Sequence, residues 1–145
     1  MKFRMIILVL AIISVITGCT DGVKKGNQLT LDKVITAIKA EGPELFSKGK
    51  LDDEFVVLSK VKPNVFSIGS PLEDTAKLEN IHVYIFDSEQ ARIDGLITFN
   101  KHLETAKLAY YVKAYEQKNA LVIYYSFGEI DTKFGDKIQK AMEKL

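Results

Sequence analysis

The chain has 145 residues, of which 20 are basic and 19 acidic, with a single cysteine and no tryptophan. This balance leaves no charge excess for gripping nucleic acid, and one cysteine excludes an internal disulfide framework. The length suits one domain that can bury a core without disulfide or metal support.

In chain order, Lys2 and Arg4 precede an apolar run from Met5 to Ile16 that only Ser14 interrupts. A charged start, a short apolar middle and a small-residue site describe a secretory signal peptide. The run is shorter than the roughly 20 apolar residues of a membrane-spanning helix. Ile16-Thr17-Gly18-Cys19 then resembles the lipobox of bacterial lipoproteins: an aliphatic residue, a small residue, Gly or Ala, and Cys. The resemblance implies diacylglycerol transfer to the Cys19 sulfur and cleavage between Gly18 and Cys19 by the lipoprotein signal peptidase. It also implies a lipid anchor, palmitate-like in kind, on the extracytoplasmic face of the cell membrane. The plain alternatives are a secreted protein whose cleavage site happens to sit beside a cysteine, or an uncleaved anchor. Against them, the one cysteine stands at the lipobox position, where no disulfide competes for it. Two acyl chains hold a protein firmly on a bilayer, whereas one is marginal. Removing residues 1–18 takes away two basic residues and no acidic ones, so 18 positive charges face 19 negative ones. The expected organisation is a signal peptide over 1–18, a lipidated cysteine and flexible tether over 19–28, and a single globular domain over 29–145.

Residues 20–28 are polar and contain two glycines, which suits a short tether. Nine residues are too few to cross a thick wall, so the domain is expected to work near the membrane. Thr30 can cap a helix running to about Glu41, with Leu31, Val34, Ile35 and Ile38 on one face and Gly42-Pro43 as the stop. Residues 43–53 fit more than one reading, a further helical turn at Glu44-Leu45-Phe46 among them; 55–58 reads as a short strand, and 64–68 as a second strand behind Pro63. The run 81–86 is apolar on both faces, as a covered central strand would be. Asp87, with Gln90 three residues on, then reads as a capping box. The helix it opens carries Ile93, Leu96, Ile97, Phe99 and Leu103 broadly on one side. Gly95 inside it costs about 1 kcal/mol against alanine, and a tight contact with the sheet would explain the missing side chain. Strands over 108–115 and 120–127 form a hairpin around Gln117-Lys118-Asn119. Asp131 or Thr132 opens a last helix with Phe134, Ile138, Met142 and Leu145 as its apolar stripe.

These elements predict an α+β fold: a two-layer sandwich with a mostly antiparallel sheet of four or five strands and about three helices packed on one face. A second resemblance rests on Pro63-Asn64-Val65-Phe66, Tyr84-Ile85-Phe86-Asp87-Ser88-Glu89, Arg92, Gly95-Leu96, Phe99-Asn100 and Asn119-Ala120-Leu121-Val122. Together these are similar to small uncharacterised lipoproteins of Bacillus-like Gram-positive bacteria. That likeness spans most of 29–127, implies no activity and leaves out the last helix.

The chemistry offered is sparse. His82 and His102 with Asp87 and Glu89 do not make a metal site, because the intervening helix separates Asp87 from His102 by about 22 Å. His102 near a helix C-terminus has a plain electrostatic reason to be there. No Gly-x-Ser-x-Gly elbow or glycine-rich phosphate loop occurs, so no catalytic residue, metal or cofactor is assigned. Carboxylates such as Asp52-Asp53 and Glu73-Asp74 lie in polar segments where nothing would raise a pKa. The charges between Asp87 and His102, Arg92 included, read as a solvated face, Arg92 pairing with Glu89. Tyrosine is the excess: Tyr110, Tyr111, Tyr115, Tyr124 and Tyr125 all fall in the hairpin. Strand alternation sets Tyr111, Lys113 and Tyr115 on one face, and Lys113 argues that this face is open. It is the candidate surface for a protein, peptide or glycan partner in the cell envelope; the bland alternative is that tyrosine simply suits strands. The expected role is a membrane-anchored, non-catalytic binding or accessory module. A carboxylate-based envelope hydrolase and a purely structural envelope protein are the alternatives.

Overall fold

The computed structural model describes residues 27–69, 79–106, 111–126 and 133–145. Gly18 and Cys19 lie outside the described residues, as do Tyr110, Asp131 and Thr132. No described helix is long and apolar enough to cross a membrane.

Helix α1, Leu31–Ala40, starts where expected, with Thr30 Oγ1 accepting from the Lys33 N–H at 3.4 Å. It ends as Glu41 and Gly42 return their N–H groups to the Ile38 and Lys39 carbonyls. Gly42 takes φ +104°, which a side chain would resist. Glu44-Leu45-Phe46 is not a helical turn: it opens strand β1, Glu44–Lys50, which pairs with β2, Asn64–Gly69. Ladder hydrogen bonds from β2 outweigh a weak local helical preference here. A bulge between Ser47 and Gly49 interrupts the pairing, with Gly49 at φ +86°.

Residues 55–58 form no strand. Asp53 folds them into a turn, its carboxylate accepting from the Phe55 N–H at 2.9 Å and its carbonyl from Val56 and Val57. A tight turn through Ser59 and Lys60, both at positive φ, then bridges Leu58 to Val61. Strand β3, Glu79–Ile85, leads into helix α2, Glu89–Thr105, whose cap is Ser88 rather than Asp87. Ser88 Oγ accepts from the Ala91 N–H at 3.1 Å. Strands β4, Tyr111–Gln117, and β5, Ala120–Ser126, turn at Lys118-Asn119, and helix α3, Gly135–Glu143, completes the described fold.

The strand order is β1-β2-β3-β5-β4 with every neighbouring pair antiparallel, an α+β sandwich built on one sheet of five strands. The expectation of helices on one face holds for α1 and α3. Their Val34, Ile38, Ile138, Ala141 and Met142 pack on Phe66, Ile81, Val83, Val122 and Tyr124. Helix α2 covers the other face instead, where Phe99, Leu96 and Leu103 meet Tyr84, Leu121 and Ile123. The physical reason lies in the sheet: successive residues of β3 and β5 point to opposite faces and are apolar on both, so each face needs a cover.

Asn119, nearly fully buried in the hairpin turn, ties the two ends of this framework. Its Oδ1 accepts from the Leu29 N–H at 2.7 Å, and its amide donates to the carbonyls of Leu29 at 3.1 Å and Phe86 at 2.8 Å. The chain therefore enters the domain beside the C-terminal end of β3.

Candidate functional site

The tyrosine face expected to be open is covered. Tyr115 is 2 % exposed and belongs to the core under α1 and α3. Tyr111 and Lys113 are half-buried, and Lys113 Nζ lies 5.0 Å from the Tyr115 ring centroid, as a cation over its own strand neighbour. The long lysine stem lets the strand be covered while the ammonium reaches outward, so Lys113 does not mark an open face. Val112 and Ala114, the other alternating set, pack into the cluster under α2.

A concave, mostly apolar site lies elsewhere, between the second half of α2 and the sheet. It is a cavity of about 600 Å³, within the range of sites for small ligands. Phe99, Leu103 and Ala106 from α2 and its C-terminus form one wall, and Asn80 and His82 of β3 with Tyr125 of β5 form the floor. Phe55 and Val56 form the lip. The lip is held to both walls: the Tyr84 hydroxyl donates to the Val56 carbonyl at 2.7 Å, and His102 Nδ1 lies 3.1 Å from the Phe55 carbonyl. A carbonyl only accepts, so Nδ1 of His102 carries the proton and Nε2 is its remaining nitrogen. The Phe55 ring itself is 74 % exposed at this lip.

His82 is nearly buried, and burial together with the Lys48 charge pushes its imidazole down to about 4. It is neutral at ordinary pH. Its Nδ1 is buried without a hydrogen-bond partner among the described residues, at a cost of about 1–3 kcal/mol. Its ring lies 4.6 Å from that of Tyr125. Burial pushes the Tyr125 phenol up to about 12, so it keeps its proton as a donor. The Tyr84 phenol is also raised, by burial first and by Tyr125 second. Asn80 Oδ1 is occupied by Lys48 Nζ at 2.9 Å and Ser67 Oγ at 3.5 Å, which leaves its NH₂ group for donation.

His82 and His102 thus share one cavity, which spacing along the helix alone does not reveal. Helix α2 runs back along β3 and brings its C-terminal end over the start of that strand. Asp87 and Glu89 remain at the opposite end, and no group of three or more metal-ligating side chains occurs among the described residues. The described lining holds no carboxylate, Ser or Cys. Its chemistry suits holding an apolar body and hydrogen-bonding one end of it.

Arg92 is not part of a solvated face. It is 6 % exposed, its Nε donates to the Lys118 carbonyl at 2.9 Å, and its guanidinium pairs with Glu116 and with Glu89. It is a clamp between α2 and the β4–β5 turn, remote from the cavity. No family model, curated protein or solved structure matches the chain.

Proposed function

We propose that this chain is a lipid-anchored, non-catalytic binding module on the outer face of a bacterial cytoplasmic membrane, and that it takes a small ligand in the cavity under α2. The anchor rests on the lipobox-like Ile16-Thr17-Gly18-Cys19 behind a short apolar signal. The binding role rests on one observation: an apolar cavity whose floor carries a neutral, buried histidine with no partner for its Nδ1 among the described residues. An unpaired buried nitrogen costs stability, and a ligand's polar group offsets that cost. The hydrolase alternative lacks a supporting group here, since no described lining residue is a carboxylate that could activate water.

Two variants test this reading. Cys19→Ser should abolish incorporation of labelled lipid and leave unprocessed precursor; normal lipid labelling in that variant would refute the anchor. Ala106→Trp places an indole at the cavity wall. It should abolish capture of a small neutral apolar probe, followed by fluorescence, with thermal stability unchanged. Undiminished capture in that variant would remove the cavity from the function.

A further inference from the structure

The polar end of the cavity has a definite electrical character. Lys48 projects from β1 across β2, reaches Asn80 Oδ1, and pairs with no carboxylate among the described residues. The neighbouring carboxylate on β3, Glu79, is turned to the opposite sheet face, where the Tyr124 and Ser126 hydroxyls hold it. What the cavity floor presents is a set of donors: the free NH₂ of Asn80, the Tyr125 phenol and one nitrogen of the neutral His82 imidazole. They stand beside the Lys48 ammonium, which pairs with no carboxylate among the described residues. The remaining lining is the apolar Phe99, Leu103, Ala106 and Val56 with Phe55 at the lip, and, at the end of α2, His102 and Thr105.

We infer that the ligand of this cavity is an amphiphile with an apolar body and a carboxylate head, the body lying along α2 and the head docking at Asn80, Tyr125 and Lys48. A carboxylate is acceptor-only and accepts from several donors at once. Such charge-assisted hydrogen bonds are about twice as strong as neutral ones. A neutral alcohol would engage fewer of the donors and bring no negative charge to Lys48. A cationic head would meet Lys48 as a like charge. The cavity volume of about 600 Å³ accommodates a medium-length acyl or aromatic body.

This inference rests on the cavity being a ligand site, and the test separates the two. The full-length protein in its own membranes is photolabelled with a medium-chain carboxylic acid carrying a diazirine. A parallel sample receives the matching diazirine alcohol, and labelled peptides are mapped by mass spectrometry. The acid should label peptides containing Phe99, Leu103 or His82, and excess unmodified acid should compete. The alcohol should label the same peptides about tenfold less, which corresponds to about 1.4 kcal/mol. Lys48→Met, a change at an exposed side chain, should bring acid labelling down to the alcohol level and leave alcohol labelling unchanged. Equal labelling by acid and alcohol, with no effect of Lys48→Met, would overturn the carboxylate head while leaving the cavity reading intact. If neither probe labels these peptides, or labelling survives Ala106→Trp, the binding role of the cavity falls with it.

Discussion

His82 shows how burial of a single side chain makes the stability of this domain depend on pH. Folding holds its imidazole down to about 4 from the ordinary 6.5. Between those values the unfolded chain binds a proton that the folded chain refuses, so unfolding free energy rises with pH across this window. The contribution is complete above about pH 6.5 and is lost as pH falls towards 4, to the extent of about 3 kcal/mol. His82→Phe should flatten the stability profile over that interval, read by denaturant unfolding at a series of pH values. Parallel curves for the two proteins would mean that His82 titrates normally in the fold. Other polar residues teach a related lesson. Arg92 and Asn119 look like ordinary surface residues in the sequence. Both are buried because their partners, the Lys118 carbonyl for one and Leu29 and Phe86 for the other, are brought close only by the fold. Tyr115 is the converse case, since the charge two residues before it did not make its face an open one.

Among the elements, β1 was the least legible and β3 the most, while α2 was legible as a helix but not in its inner face. The residues of α2 that face the sheet include Arg92 and Gly95, whereas Ile93 and Ile97, expected inside, are exposed. A polar side chain and an absent one hide the inner stripe from any hydrophobic count. The two-sided apolar character of β3 was the readable sign that a helix must cover each face. Gly95 explains itself through packing: a Cβ there would lie 2.5 Å from Cζ of Phe86, well inside contact distance. That ring stacks on Tyr84 at 6.1 Å, and the Tyr84 hydroxyl is tied to Val56, so neither ring can readily retreat. Gly95→Ala gains about 1 kcal/mol of helix propensity and loses about 1–3 kcal/mol to overpacking. The packing cost should win, lowering Tm by several degrees, and Phe86→Leu added to it should restore part of the loss. A rise in Tm on Gly95→Ala alone would show that the ring yields.

At the scale of the molecule, the fold separates the cavity from the point where the chain enters. Leu29 is held by Asn119 next to Phe86, and the cavity floor begins at Asn80, six residues back along β3. At about 3.3 Å per strand residue this is about 20 Å. If residues 20–28 serve as a tether, nine residues reach at most about 30 Å. An anchored domain of this shape would hold its cavity towards the envelope space while remaining within one protein diameter of the lipid. The α+β class and the strand identities of β2, β3 and β5 could be read from the sequence, because alternation and flanking turns are local. The cavity could not, since its walls come from β3, β5, α2 and the loop through Phe55.

The bulge in β1 has a consequence for crowding. Among the described residues this strand forms one edge of the sheet, and lipid anchorage would concentrate copies of it in two dimensions, where edge-to-edge pairing is a standing hazard. Gly49 breaks the even spacing of N–H and C=O groups along that edge, and Lys48 and Lys50 flank it with like charges. A second copy approaching in register would find neither a continuous ladder nor a neutral seam. Deleting Gly49 together with Lys50→Val should produce concentration-dependent association, measured by sedimentation velocity. A variant that stays monomeric would show that the edge is guarded by something other than its irregularity. On a crowded surface, a kink of one residue would thus act against polymerisation of neighbours.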